Sequence, residues 1–446
     1  MTEAQTIRLP DRRDPDADPV VITGIGMGAS VGSDRETVWQ AIQAGRSGIR
    51  FTRPADCVGS LKLPCAMVDW LPPKAPVLKS IRLCQAAADE ALRDAEICWP
   101  DVDRDRFAVS VAAQFGDIDF LYLTEEQRSR APDALAHPWH QQFLPCSVSD
   151  HVANSYGLNG PRLCHATACA SGIVSTLAAA RMIQADQADM ALAGASDSVA
   201  EIILAAFHRM GVLAEAEDAS SACRPFDKSR CGFVMGEGAA LLVLEKRSHA
   251  IARGASIYAE IASGQMLCQA HHVTGLEENS ATLEQLIRRS IDKAGWSYRG
   301  PQYVNAHGTG TAQNDVCELK ALRGALGDQA DGLVASSNKA ILGHLINAAG
   351  SIELALTALA MRDNFAPPTM HLRDPETVGA IDCLPEFGVQ MEIDRALKLS
   401  LAFGGHLVAM ALRKCPFEAH QRPARPLSTS ARIRNANAPG HLQRAA

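Results

Sequence analysis

A thiol, two imidazoles and a lysine–glutamate pair stand in short stretches rich in small residues, close to apolar runs. In "CHATACASGIVSTLAAARMI", Cys169 sits among small residues where an Ala-rich amphipathic helix begins. A helix N-terminus offers unpaired N–H groups and the positive end of a dipole, both of which favour the thiolate that attacks a carbonyl. Alone this is weak evidence, since a cysteine among small residues more often only packs. In "VNAHGTGTAQND", His307 ends an apolar strand, with Thr309 and Thr311 in the loop beyond; a capped turn histidine is the plainer alternative. "SSNKAILGHLINAAGSIE" sets Lys339, His344 and Glu353 around a glycine turn and a helix start. Lys339 and Glu353 read as a buried ion pair, and such a pair can also fix a neighbouring imidazole. In "LSLAFGGH", Gly404 and Gly405 let backbone N–H groups come close to a ligand. Together the four clusters suit one reaction.

Positioning them requires buried sheets. The runs "VVITGIGM", "FAVSVAA", "DMALAGAS", "AALLVLE", "YAEIAS", "QYVNAHG", "LVASSNKA" and "LSLAFGG" read as strands. Helical patterns fall between many of them, over 76–95, 171–185, 279–294, 315–325 and 346–361. The alternation is that of a layered α/β protein. "TGIGMGA" invites a dinucleotide-binding reading, but that motif needs an acidic residue about 20 positions further on, and residues 37–55 hold no Asp or Glu. These glycines read as tight strand-to-loop packing, and a dinucleotide-dependent oxidoreductase is disfavoured.

A chain of 446 residues has ample core, as two packed halves or one large layered domain. Its net charge of -7 argues against a general nucleic-acid binder, which needs surplus Lys and Arg. The first residues are polar and Pro-containing, and no apolar run reaches the ~18 residues of a membrane span. Thirteen cysteines with no secretory signal read as reduced thiols of a cytoplasmic protein. The one metal-like cluster, Cys268 with His271 and His272, lacks further ligands, so no metal is expected. Residues 1–18 read as a flexible leader and 416–446 as a disordered basic tail.

"TACASG", "RPFDKSRCGFVMGEGAALLVLEKRSHAIARGA", "VNAHGTGT", "NKAILGHLINAAGSIE" and "AFGGH", in this order, resemble motifs of the β-ketoacyl-acyl carrier protein synthases. These are condensing enzymes of the thiolase superfamily, and the resemblance runs from about Val20 to Lys414. It implies a thiolase-like fold, two similar βαβαβαββ halves making a five-layer α-β-α-β-α sandwich, here over residues 19–260 and 261–415, and a homodimer. It implies Cys169 as acyl-accepting nucleophile, His307 and His344 completing a Cys-His-His set, and Lys339 and Glu353 as the supporting charged pair. Phe403 becomes the gate, its N–H joining that of Cys169 in an oxyanion hole. Thr309 and Thr311 hold a phosphopantetheine arm, and His272, Thr274, Gly404 and Gly405 face the substrate.

The implied partner is an acyl carrier protein bearing acyl and malonyl groups. The acyl group moves to Cys169, the malonyl thioester loses carbon dioxide, and the enolate attacks the acyl-enzyme. Two histidine N–H donors would stabilise that enolate, a preorganised donor being worth about 3 kcal/mol in other enzymes. Neutral imidazoles are needed, and Lys339 disfavours a second positive charge beside it. This chemistry calls for no metal and no redox cofactor.

The chain departs from the family pattern at several points. Cys231 replaces an Asp in "RPFDKSRCGF", and "LSLAFGGHL" has Leu399, Leu401, Ala402 and Leu407 where Asn, Phe, Gly and Asn are usual. "AAQFGD" replaces a Gly-rich pocket floor and puts Phe115 where an aliphatic residue often sits, which predicts a short acyl pocket. The segment from Phe143 to Gly160 is shorter than usual near the expected dimer interface. Lys74, Lys79 and Arg82 offer a carrier-docking segment, whereas "AEAED" puts acid where basic residues are common, which points to a dedicated carrier. A non-elongating partner of the chain-length-factor kind is the alternative, and retention of Cys169 and both histidines weighs against it. A thiolase would need a second reactive cysteine in the "AFGGH" loop, where Phe403 stands.

Overall fold

The apolar run at Val20–Ala29 forms strand β1, buried at every position. A strand covered on both faces shows no polar alternation. Helix α1 (Lys79–Asp94) lies on it, burying Ile81, Cys84, Ala88, Ala91 and Leu92 at three- and four-residue spacing. A Cβ on Gly24 would stand 2.3 Å from the Ala91 carbonyl oxygen, and one on Gly26 2.0 Å from that of Ala87. The glycines of "TGIGMGA" thus bring a strand against a helix, where packing against a loop was expected.

The computed structural model describes residues 18–52, 62–72, 77–113, 142, 144, 146–377, 381–383, 386–416 and 420–433. Within them, β1 is followed by β2 (Phe107–Ala112), β3 (Arg162–Leu163), β4 (Met190–Asp197) and β5 (Gly238–Lys246). A second set comprises β6 (Ala259–Cys268), β7 (Tyr303–Asn305), β8 (Val334–Ser336), β9 (Arg395–Ala402) and β10 (His406–Arg413). Hydrogen bonding joins them in the order β8-β7-β9-β10-β6-β1-β5-β4-β2-β3. Read from each outer edge inward, both sets run third, second, fourth, fifth, first. In both, the first three neighbours pair in parallel and the last two junctions are antiparallel. Identical order and sense mark an internal repeat, and among the described residues the strands of the two sets hydrogen-bond to each other where β1 pairs with β6 at Val21 and Ile22. The second set begins at Ala259, so the division expected after residue 260 cuts into β6.

Helices complete the layers. Helices α1 and α2 (Ser147–Tyr156) cover the outer face of the first set, and α3 (Ser171–Gln184) covers the inner face. After α4 (Glu201–Arg209), the second set is covered outside by α5 (Ala281–Ala294) with α6 (Ala312–Leu326) beside it, and inside by α7 (Ala349–Asp363). Helices α3 and α7 pack on each other between the sheets, giving the α-β-α-β-α sandwich. Both are apolar nearly all round, as buried helices must be.

The stretch 420–433, expected to belong to a disordered tail, is instead docked. Arg422 donates to the carbonyls of Thr23 and Asp94 and stacks over Tyr258, 4.8 Å from the ring centre. Arg425 reaches Glu36, its N–H meets Asp363, and Leu427 packs on the core. Polar composition hid this, because its arginines bind buried acids and carbonyls where an apolar stripe would otherwise be needed. The leader apart from Asp18, the pocket-floor residue Phe115, Lys74 and residues 434–446 lie outside the described residues.

Candidate active site

Cys169 occupies a turn, Ala168–Ala170, that leads into α3. Ala168 holds φ at 47°, a strained conformation for a residue with a Cβ. Ser171 stabilises the turn, its hydroxyl accepting from the Thr167 N–H at 2.9 Å and donating to the Ala168 carbonyl at 2.7 Å. The thiol is 9% exposed, and burial pushes it up to about 12. Lys339 and the cysteine's own N–H pull the other way, while Asp197 and Glu353 add to the rise. The resting group is a thiol, and burial outweighs the helix terminus that favoured thiolate.

The two histidines come from loops of the second half. His307 follows β7, and its N–H and that of Gly308 each donate at 2.6 Å to the two oxygens of Glu318 on α6. His344 is tied to the first half, donating its N–H to the Val234 carbonyl at 2.6 Å and accepting from Gly236 at 2.9 Å. The rings lie 5.3 Å apart at 85°. His344 Nδ1 accepts the Ile346 N–H at 3.2 Å, and His307 Nδ1 faces the Lys339 ammonium at 3.5 Å. Those bonds place the ring proton of each on Nε2. Burial first, then Lys339, holds both imidazoles well below the ordinary histidine range, so both are neutral donors.

Behind them lies a charged layer. Lys339 Nζ donates to the His307 carbonyl at 2.6 Å and to Glu353 Oε1 at 2.5 Å, which is the ion pair read from the sequence. Sequence reasoning missed its third member: Lys398, on β9, stands 2.7 Å from Glu353 Oε2. A lone lysine inside "RALKLSLA" was the available signal. Glu318 and Asp315 were also missed, as polar positions of a helix. Glu318 is pushed up to about 7 by burial, and Asp315 accepts the N–H groups of Phe226 and Gly310. The signal there was two acids three positions apart on the helix that follows the histidine loop.

Cys169, His307, His344, Thr274, Thr309, Thr311 and Phe403 open onto one cavity of about 350 Å³. Cys231 lines the same cavity, and no Lys, Arg, Asp or Glu among the described residues does. Aromatic contacts run from Phe403 to Phe207 to Phe233 to His344, with centres 6.4, 5.4 and 5.3 Å apart. Three expected contacts are corrected. His272 is exposed and caps its own loop, its Nδ1 accepting the N–H groups of Thr274 and Gly275. Gly404 and Gly405 form the β9–β10 hairpin turn with φ of 85° and 78°. The Gly404 N–H is already donated to the Val273 carbonyl, and Gly405 lies against Gln269, so neither lines the cavity. Among the described residues, no group of three or more His, Cys, Asp or Glu could hold a metal ion, and no helix is long and apolar enough to cross a membrane.

Two family models match the chain: "Beta-ketoacyl synthase, N-terminal domain" over residues 17–250 and "Beta-ketoacyl synthase, C-terminal domain" over 258–373. A 3-oxoacyl-[acyl-carrier-protein] synthase 2 of Staphylococcus aureus (strain N315) is 32% identical over 412 residues, covering 90% of this chain and 99% of that protein. One from Coxiella burnetii is 32% identical over 400 residues, covering 86% and 96%. Among solved structures, a type II PKS ketosynthase in complex with its acyl-carrier protein matches with TM-score 0.83 and 29% identity, covering 90% of this chain and 100% of that one. The ishigamide ketosynthase/chain length factor matches at 0.81 and 29%, with the same coverage.

Proposed function

The chain belongs to the β-ketoacyl synthase family, with the thiolase-like fold and condensing acyltransferase activity of that family, and on that premise we propose how its residues divide the reaction. Cys169 takes an acyl group from a carrier thioester; its thiol proton leaves with the departing carrier thiol. The malonyl thioester then binds with its carbonyl against the Nε2–H groups of His307 and His344. Loss of carbon dioxide leaves an enolate, which these donors stabilise. The enolate attacks the acyl-enzyme carbonyl, whose oxyanion is held by the N–H groups of Cys169 and Phe403. Collapse releases the 3-oxoacyl product and a Cys169 thiolate, which takes one proton from water.

One observation carries this reading: a thiol and two neutral imidazoles share a cavity lined by no charged side chain among the described residues. A malonyl carboxylate there meets no fixed cation, so its departure as neutral carbon dioxide is favoured by the surroundings. Lys339 and Glu353 act through His307, and Thr309 and Thr311, whose hydroxyls lie 2.9 Å apart at the cavity wall, suit an amide-bearing pantetheine arm. The same inventory disfavours a non-elongating partner, which has no use for a nucleophile.

The carrier is an acyl carrier protein, no cofactor takes part, and the working unit is a homodimer. The exposed outer strand β3, with Leu163 37% exposed, is an edge of the kind that a second copy would cover. The free cysteines among the described residues suit a reducing cytoplasm. Intact-protein mass spectrometry after incubation with acyl thioesters from short to long tests the reading. An adduct that requires Cys169 is expected, with the best-loaded chain reporting pocket length; no adduct from any donor would refute it.

A further inference from the structure

Lys398 takes no part in the steps above, yet it is fully buried directly behind the site. Its ammonium meets Glu353 Oε2 at 2.7 Å, the carboxylate oxygen that Lys339 leaves open. It also donates to the Ala306 carbonyl at 3.3 Å, one residue before His307, and to the Leu399 carbonyl on the strand that leads to Phe403. A buried ammonium is expensive unless paired and hydrogen-bonded. Lys339 alone already neutralises Glu353, so charge balance does not explain a second lysine.

We propose that Lys398 is a positioning residue of the condensation: it fixes Glu353 and the backbone before His307, and the surplus positive charge of the Lys339–Glu353–Lys398 triad adds to burial in disfavouring a charge on His307 and His344. This rests on the ketosynthase reading of the cavity. Among the described residues, the other titratable groups facing the triad and the rings include Tyr303 on β7, Asp315 and Glu318 on α6, Cys169, Cys223 and, on β4, Asp197. Burial pushes Asp197 and Glu318 up to about 7 and raises Asp315, which weakens their power to cancel the surplus. Burial brings Lys398 itself down to about 8, against the pull of Glu353, so its charge is present at neutral pH.

Lys398→Met keeps an unbranched apolar stem, one atom shorter, and removes the charge. The full-length variant is compared with wild type by NMR titration of the histidine rings, by the pH profile of malonyl-pantetheine decarboxylation, and by acyl loading of Cys169. In the variant, ring titration and the acidic limb move up by about 1 pH unit; at neutral pH, where the rings stay neutral, the lost positioning of Glu353 and the His307 backbone lowers decarboxylation about tenfold, and loading is unchanged. Unmoved titration and limb in a folded variant, or equal loss of loading and decarboxylation without a shift, would overturn the proposal. Lys398→Gln keeps a donor for the two carbonyls and serves if the Met variant does not fold. If neither folds, the fold itself requires the lysine and the proposal fails. Wild type that neither loads nor decarboxylates refutes the ketosynthase reading instead, while ring titration, which needs no substrate, still reports on Lys398.

Discussion

The two halves make the same turn at the start of their inner helices and use it differently. Ala168, with φ of 47°, opens the turn into α3, and Ile346, with φ of 45°, opens the turn into α7. The next residue is Cys169 in one and Asn347 in the other, and four positions past each opening residue comes a glycine, Gly172 or Gly350. Each glycine touches the opposite turn or helix: a Cβ on Gly172 would lie 2.9 Å from the Asn347 carbonyl, and one on Gly350 2.9 Å from the Ile173 nitrogen. Cys169 opens onto the cavity, whereas Asn347 donates its side-chain amide to Asp197 at 2.8 Å and its N–H at 3.2 Å. One backbone device therefore presents the proposed nucleophile in the first half and bolts the halves together in the second. Both turns bear a strain of about 1–2 kcal/mol, so the strain belongs to the repeat, and the side chains decide the chemistry.

If the first half supplies acyl transfer and the second supplies decarboxylation, single substitutions should separate them. Cys169→Ala should abolish the acyl-enzyme, as read by mass, while malonyl-thioester decarboxylation continues; loss of both would break the division. His344→Ala should slow carbon dioxide release by about 10²- to 10³-fold and leave Cys169 able to load. Because both imidazoles titrate well below 6.5, decarboxylation should stay level as pH falls through that value and decline only below it. On stability the groups pull apart: below 6.5 the unfolded chain binds protons that the buried rings refuse, while Asp197 and Glu318, raised to about 7, take up protons in the folded state, so acidification should lower the melting temperature more in a Glu318→Gln variant than in wild type. The smallest effect concerns the seam. Gly350→Ala crowds the Ile173 backbone and should cost about 1–3 kcal/mol of stability, seen in thermal melts, with both partial reactions retained at moderate temperature.

Much of this arrangement was legible in the sequence, for physical reasons that also mark where legibility stopped. Buried strands such as Met190–Asp197 and helices such as Lys79–Asp94 announce themselves by continuous or periodic apolar character. Strand β10 was missed because the glycine turn before it looked like a loop end. Helix α4 and the helix Arg35–Gln43 also escaped notice. Cys169, His307 and His344 were found through their small-residue loops and the family resemblance. Lys398, Glu318 and Asp197 were not, because a buried charge is recognised by the partner that justifies burial, and those partners lie 11 to 150 positions away in the chain. Gly404 and Gly405 misled in the opposite direction, since a turn and a ligand cradle ask for the same residue.

Helix α7 is buried at all fifteen positions, including Glu353, Arg362 and Asp363. Its amides can meet solvent deuterium only when the whole molecule opens, so they should be the slowest to exchange, together with those of α3 beside it. The exposed loop at His271–Thr274 should sit at the other end of that scale. The proposed nucleophile thus stands at the start of one of the helices expected to be least labile, whereas Thr274, on the wall of the same cavity, belongs to an exposed loop, so exchange should differ most between two sides of one site.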